Sequence, residues 1–422
     1  MKFVLAGQGT RGDVEPFIVV GRELQRRGHD VRIAFPPNLV GDAEAAGLKA
    51  VAYGLDSQAV IDSHRDFWIS LFGNFWKIRE VFKSLREVWE PGMQSWGDMG
   101  RTLTSLADGA DLLFTGISFQ EGAANVAEHY GIPLATLHTF PMRANSYLLP
   151  FLPAPLARSA LTMLEWLHWR MTRKVEDAQR RELGLPKATR PSSRRVADRG
   201  SVEIQAYDEV CFPGLAAEWA NRSGQRPFVG ALTLESPTDA DDEVASWIAA
   251  GTPPILFGFG SIPVQSPGDT LAMIAAACAE VGERALICSA WTDFGRIQVV
   301  DHVKVVDGVN FAATFPACRA VVHHGGAGTT AVGLRAGVPQ LILWTWPDQA
   351  LRGRSVKQLQ VGTARRISTT NQDSLVADLR AILAPRCATR AREIAPRMSK
   401  PTEAITTAAD LVEDFARRGR VG

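Results

Sequence analysis

No run of apolar residues in this 422-residue chain approaches the ~18 that a membrane-crossing helix requires, so no transmembrane helix is expected. Cysteine is scarce. The five residues at 211, 278, 288, 318 and 387 are odd in number and contain no C-x-x-C pair. That argues against a disulfide framework and reads as free thiols in a reducing compartment, several of them small core residues. Net charge is nearly absent as well, with 46 Lys+Arg against 45 Asp+Glu, and this balance argues against a nucleic-acid partner. The opening Met1-Lys2-Phe3-Val4-Leu5-Ala6 stops at Gly7 and is followed by Arg11 and Asp13. It is too short for a signal peptide and reads as a first strand, so a cytoplasmic location is expected.

What is present is an alternation of short apolar strands with helices. In the first half, Phe3–Ala6, Val31–Phe35, Leu112–Phe114 and Leu134–Leu137 read as strands. Phe17–Arg27 reads as a helix, with Pro16 at its start and Gly28 beyond its end. The second half repeats the scheme at Ile255–Phe259, Ala285–Cys288, Val303–Val306, Val321–Val322 and Leu341–Trp344. This is the grammar of α/β domains, each a doubly wound parallel sheet covered by helices. The length fits two such domains. The expected division is 1–235, a polar linker at 236–242, 243–400, and a helical tail at 401–422 that packs back on the first domain. Two doubly wound domains facing one another would hold a ligand in a cleft between the carboxyl ends of their strands.

His323-His324-Gly325-Gly326-Ala327-Gly328-Thr329-Thr330 is the most informative stretch. Ala320-Val321-Val322 leads into it and an Ala-rich run leads out, giving strand, glycine turn, helix. Such a turn directs backbone N–H groups and a helix N-terminus at an anion, and suits a phosphate-bearing ligand. Threonine hydroxyls and an imidazole can add donors. The plainer reading is a tight turn with a satisfied histidine. Two adjacent histidines among only eight favour the phosphate reading.

The N-terminal half carries a literal G-x-G-x-x-G, Gly7-Gln8-Gly9-Thr10-Arg11-Gly12, after a strand and before a helix. An NAD-dependent oxidoreductase is therefore a rival reading. However, the second strand ends Ala34-Phe35-Pro36-Pro37-Asn38 without the carboxylate a ribose needs, and Asp13 and Glu15 lie where a pyrophosphate would sit. Asp13 is either a helix cap or a general base at a strand's carboxyl end. Aromatics crowd 67–96, among them Phe67, Trp68, Phe75 and Trp76, and Trp166 and Trp169 follow. They read as core or as a greasy acceptor cleft. Residues 158–199 carry eleven Lys+Arg against five Asp+Glu, which suits either a solvated helix or an anionic membrane surface. In the second half, Ser261 ends the strand at 255–259 and could bond a phosphate. Asp348 and Gln349 either read sugar hydroxyls or start a helix. Asp239-Ala240-Asp241 matches a metal-diphosphate pattern but lies in the linker, so no metal is expected.

Taken together, these motifs resemble the GT-B glycosyltransferases of the UDP-glycosyltransferase superfamily. The nearest likeness is to actinobacterial enzymes that glycosylate glycopeptide antibiotics and mycobacterial glycopeptidolipids, with sterol glucosyltransferases next. Gly9-Thr10-Arg11-Gly12-Asp13-Val14-Glu15-Pro16 is similar to their opening motif. Gly260-Ser261, Val309-Asn310, His324 to Thr329 and Asp348-Gln349 follow in the family's order. Trp344-Thr345-Trp346-Pro347 is more aromatic than the family's usual stretch, and the plant-type W-x-P-Q is absent.

The resemblance implies an inverting, metal-independent transferase without cofactor that uses a dTDP- or UDP-sugar, a rhamnose-like 6-deoxyhexose favoured. His324, Gly325, Gly326, Ala327, Gly328 and Thr329 would cradle the diphosphate, with Thr10, Gly12 and Ser261 in support. The backbone at Val309 and Asn310 would meet the nucleobase, Asp348 and Gln349 the donor sugar, and Asp13 would be the base. Phe67, Trp68, Phe75, Trp76, Trp166 and Trp169 would meet a large hydrophobic acceptor. A glycopeptidolipid-like lipopeptide is favoured over a sterol or polyketide aglycone, with transient contact at the inner face of the membrane. A non-catalytic sugar-nucleotide-binding protein is the remaining alternative.

Overall fold

The structure, a computed structural model, describes residues 1–57, 95–260, 266–289 and 300–419. The chain divides into two compact units. Met1–Ala206, Gly214–Leu232 and Pro401–Gly422 form the first, and Tyr207–Pro213 with Thr233–Lys400 the second. The polar segment 236–242 thus falls within the second unit.

In the first unit, β1 (Lys2–Ala6), β2 (Asp30–Phe35), β3 (Lys49–Ala52), β4 (Leu112–Thr115), β5 (Leu134–His138) and β6 (Glu203–Gln205) form one sheet in the order β3-β2-β1-β4-β5-β6. Every pairing is parallel. Parallel strands need crossovers, and here the crossovers include α1 (Arg11–Arg26), α2 (Val40–Ala45), α3 (95–107), α4 (Gln120–Tyr130), α5 (Ala154–Glu182) and α6 (Ser192–Asp198). Because helices cover the sheet, the central strands β1 and β4 are almost wholly apolar and buried. Phe17 of α1 lies against them, its ring centroid 5.0 Å from that of Phe114.

The expected start of the first helix is corrected. The helix begins at Arg11, not near Phe17, and Pro16 lies inside it. The Asp13 carboxylate accepts the Thr10 N–H at 2.7 Å and the Thr10 hydroxyl at 3.0 Å, which fixes the first turn well before the proline. At the helix's sixth position Pro16 removes a single backbone donor, and its ring is buried with the core.

In the second unit, α7 (Asp241–Ala249) precedes β7 (Ile255–Gly258), α8 (Pro267–Val281), β8 (Ala285–Cys288), β9 (Val303–Val306), α9 (Phe311–Thr314), β10 (Ala320–His323), α10 (Ala327–Arg335), β11 (Gln340–Trp344), α11 (Pro347–Gln358), β12 (Gly362–Arg366), α12 (Gln372–Leu383) and α13 (Pro385–Ile394). Its sheet order is β12-β11-β10-β7-β8-β9. Counted from its own first strand, this is the winding of the first sheet. In such sheets a crevice opens at the carboxyl ends of the two central strands, where the winding reverses. Those strands are β1 and β4 in the first unit and β7 and β10 in the second.

The last helix, α14 (Pro401–Gly419), belongs to the first unit and packs on α1. Arg27, just beyond α1, binds Asp410 at 2.6 Å and Glu413 at 2.9 Å. Among the described residues, no helix is long and apolar enough to cross a membrane.

Candidate functional site

The second unit places its glycine turn at the reversal of its sheet. β10 ends at His323, which is fully buried. Its Nδ1 accepts the Gly325 N–H at 3.1 Å, so its Nε2 carries the proton and donates to the Gln340 side-chain oxygen at 2.8 Å. Burial, with His324 nearby, pushes its pKa down to about 3. His323 is thus a neutral strut that shapes the loop. Gly325 has φ of +91°, and a Cβ there would stand 2.8 Å from Ile342 Cγ2. Only glycine fits that turn.

His324 lies between two glycine segments. A Cβ on Gly260 would come within 2.6 Å of its Cε1, and one on Gly326 within 2.6 Å of its Nε2. Burial lowers its pKa to about 4, opposed by a hydrogen bond to the Gly258 backbone. Its Nδ1 is buried and has no hydrogen-bond partner among the described residues. One ring nitrogen is therefore left over, and it donates to an anion once the ring is protonated, a form that a negative charge beside it favours. Gly326 then caps α10, and among the described residues no side chain occupies the cap. The N–H groups of Ala327, Gly328 and Thr329 sit in the first turn, where no carbonyl precedes them to accept. The Thr330 hydroxyl turns back to Gly326 O at 2.7 Å, which leaves Thr329 as the hydroxyl on the open first turn.

Asp348 and Gln349 reach this loop through α11. Arg352, 7% exposed, donates to Asp348 at 2.7 Å and to Gly325 O at 3.1 Å. It ties the Asp348 carboxylate to the turn and sets a positive charge beside it. Arg352 was not singled out in the sequence, although its i,i+4 spacing from Asp348 was the signal that could have found it. Gln349 is 3% exposed, and its side-chain oxygen accepts Thr345 N at 2.8 Å and Trp346 N at 3.1 Å. Its oxygen is committed to starting α11. Val309 is a core side chain. Asn310 caps α9 by accepting Ala312 N at 3.1 Å, while its own N–H donates to Asp241 at 2.8 Å. What these two residues can offer a nucleobase is therefore backbone. Asp241 also accepts from the Thr238 N–H and hydroxyl, each at 2.8 Å, so the D-x-D match serves the start of α7. Ser261 lies outside the described residues.

In the first unit, Asp13, Thr10 and Gly12 gather at the carboxyl end of β1. A Cβ on Gly9 would be 2.3 Å from Asp13 Oδ2. The carboxylate thus lies against the Gly9 backbone, the surface a dinucleotide loop would reserve for pyrophosphate. Trp169 of α5 is 6% exposed and its Nε1 donates to Glu176 at 3.1 Å, so it is packed inside. Trp166 is 45% exposed. Phe67, Trp68, Phe75 and Trp76 lie outside the described residues.

Two buried histidines, His138 and His323, and the half-buried His324 make acid stability a test of this arrangement. Burial, aided by Arg143, pushes His138 down to about 3, beside the values for His323 and His324. Histidine in the unfolded chain takes up its proton near about pH 6.5, and these folded ones do not until about pH 3–4. The unfolded state therefore binds more protons in that window, and stability is lost as pH falls through it. Each group contributes up to about 1.4 kcal/mol per pH unit. The unfolding midpoint in urea should fall steadily from about pH 6.5 to 4.5; a flat midpoint would show that the imidazoles protonate in place.

A family model described as "Glycosyltransferase family 28 N-terminal domain" matches residues 3–95. Another, described as "Erythromycin biosynthesis protein CIII-like, C-terminal domain", matches 270–414. A protein of Mycobacterium tuberculosis (strain ATCC 25618 / H37Rv) named an uncharacterized glycosyltransferase is 62% identical over 100% of both chains. A sterol 3-beta-glucosyltransferase of Arabidopsis thaliana is 28% identical over 97% of this chain and 67% of its own. The solved glycosyltransferase of kitacinnamycin has the same fold, with a TM-score of 0.72 at 17% identity over 98% of this chain and 99% of that one. The glycosyltransferase VinC, solved in complex with dTDP, gives 0.66 at 20% identity over 99% and 100%. With the paired parallel sheets and a glycine turn in place of a dinucleotide loop, these likenesses make the chain a member of the glycosyltransferases of the GT-B type.

Proposed function

We propose that the protein moves a hexose, a 6-deoxyhexose favoured, from a dTDP- or UDP-sugar to a hydroxyl of a large hydrophobic acceptor, with inversion and without a metal. The observation that carries the donor half is the loop after β10. It combines a glycine turn, a nine-residue helix start, an imidazole nitrogen without a partner among the described residues, and the Arg352 guanidinium behind it. As the bond to the anomeric carbon breaks, negative charge grows on the leaving diphosphate. Fixed N–H donors and a helix N-terminus meet that charge without reorganising. Asp13 takes the proton of the attacking hydroxyl, and attack opposite the leaving group inverts the anomeric centre. The dTDP bound to VinC supports the thymidine donor.

The acceptor half rests on α5. Its C-terminal half is anchored inside: Gln179 donates to Gly122 O at 3.2 Å and Arg180 to Glu128 at 2.9 Å. The stretch before that anchor carries Leu156, Met163, Leu164, Leu167 and Met171 at helical spacing on one face, each at least 45% exposed. Lys174 continues that face and Arg170 borders it, stacked over Trp166 at 5.6 Å. A long apolar stripe edged by cations fits a lipid-bearing acceptor presented at an anionic membrane surface. A lipopeptide of the glycopeptidolipid kind is the first choice, a sterol or polyketide aglycone the second.

The test has two arms. Calorimetric titration should show dTDP or UDP binding and no response to NAD, and transfer to a lipid acceptor should persist in EDTA. Replacing Leu164 and Leu167 with Ser should raise the acceptor KM while leaving nucleotide affinity unchanged, since burying each side chain contributes up to roughly 1.5–3 kcal/mol. A screen in which only small polar alcohols or sugars accept the glycosyl group would refute the lipid reading.

A further inference from the structure

The end of the first sheet remote from Asp13 carries a cavity of about 310 Å³. In its lining, Pro133 immediately precedes β5 and Ser201 lies two residues before β6, so the cavity opens where strands begin. Asp13 follows the carboxyl end of β1, and all six strands run parallel. The two places are therefore at opposite ends of the sheet. The volume lies at the small end of ligand sites, roughly 300–1,000 Å³.

The lining has two chemistries. Ile132, Pro133 and Phe415 supply apolar surface, Phe415 reaching in from α14. Arg195, Arg199 and Ser201 supply the polar side. Arg195 donates through Nη1 to Asn125 and to Glu128, both at 3.1 Å, and through Nη2 to Glu176. Its Nε is buried and has no hydrogen-bond partner among the described residues. Arg199 pairs with Glu128 at 3.4 Å and remains 49% exposed. Glu128 also serves Arg180 at 2.9 Å. Three guanidinium groups thus share two carboxylates, Glu128 and Glu176. Burial raises the Glu176 carboxyl group's pKa and lowers that of Arg195, with Arg180 repelling it further. Among these five groups one positive charge is in excess, in a half-open place beside an apolar wall.

We propose that this cavity binds a small amphipathic carboxylate, its head on the Arg195 and Arg199 guanidinium groups and its chain against Ile132, Pro133 and Phe415. A single negative charge matches the single excess cation, and the apolar wall accounts for the chain. Because Phe415 belongs to α14, the bound molecule joins the C-terminal helix to the base of the sheet and holds it there. This site is independent of glycosyl transfer and of the donor loop.

The experiment is a calorimetric titration of the full chain with octanoate, with octanol and inorganic phosphate as separate probes. Octanoate should bind saturably at one per chain, at least about tenfold more tightly than octanol or phosphate, the ratio one charge-assisted hydrogen bond sustains. Arg199→Ala should weaken octanoate by about the same factor and leave octanol unchanged. Bound octanoate should also slow amide hydrogen exchange in α14. Arg199 is half exposed, so its loss should leave the fold intact, and Arg199→Gln serves as the second variant. Absence of saturable octanoate binding, equal binding of octanol, tighter binding of phosphate, or unchanged affinity in both variants would each overturn the assignment.

Discussion

Replacing Asp13 with Asn is expected to lower kcat by about a hundredfold to ten-thousandfold, the usual effect of removing a general base. The affinity for dTDP or UDP should hardly change. The substitution separates the capping role seen in the structure from the base role proposed above. Asp13 accepts the Thr10 N–H and hydroxyl at the head of α1, so part of its work is structural. An asparagine keeps a carbonyl oxygen of the same reach and can still accept both, but it cannot take a proton at neutral pH. Folding should therefore survive while chemistry fails. Asp13→Ala removes both functions and should in addition lower stability by about 1 kcal/mol, the typical worth of a cap. The decisive comparison is kcat for Asp13→Asn against its urea midpoint. If turnover stays near wild type, or if the midpoint falls while turnover does not, Asp13 is a cap and the base lies elsewhere.

Asp13 also shows where reading along the chain stops. The central strands and the glycine turn were legible because each is a local pattern, a buried apolar run or a glycine cluster between two such runs. Of the four edge strands only β9, the apolar Val303–Val306, was. β3 reads Lys-Ala-Val-Ala, β6 Glu-Ile-Gln and β12 Gly-Thr-Ala-Arg-Arg, and none is an apolar run. An edge strand is covered on fewer sides, and β6 buries its charge outright. Glu203 is fully buried because Arg143 and Arg226 reach it from distant points in the chain. Nothing near Glu203 in sequence announces those partners. Pro16 misled in the opposite direction, since a proline that commonly opens a helix here lies inside one that a capping interaction had already started. In the candidate site, the loop from His324 to Thr329 and its neighbours Asp348 and Gln349 come together through Arg352, a link that only the folded chain displays. The division of labour between the two adjacent histidines depends equally on what each ring touches.

That division gives the second large effect. His324→Ala should weaken binding of dTDP and lower kcat/KM by roughly 1.5–3 kcal/mol, the range for a hydrogen bond to a charged group, or about tenfold to a hundredfold or more. The urea midpoint should fall less than in His323→Ala, because the ring gives up one backbone hydrogen bond, to Gly258, while its Nδ1 has no partner among the described residues. His324→Asn, which restores an N–H donor of similar reach, should recover part of the affinity. His323→Ala should do the reverse. It strips the Gly325 N–H and the Gln340 oxygen of their partner inside a fully buried site and leaves a cavity where an imidazole stood. Unsatisfied buried groups cost about 1–3 kcal/mol each, so the loss should appear first in the denaturation midpoint. Donor affinity in the fraction that remains folded should fall less than in His324→Ala. The pair is best read together, as midpoint against dTDP affinity for each variant. Equal, small losses of affinity in both would remove His324 from the diphosphate site and leave the cradle to the α10 backbone. A His324→Ala protein that loses stability rather than affinity would make both histidines struts.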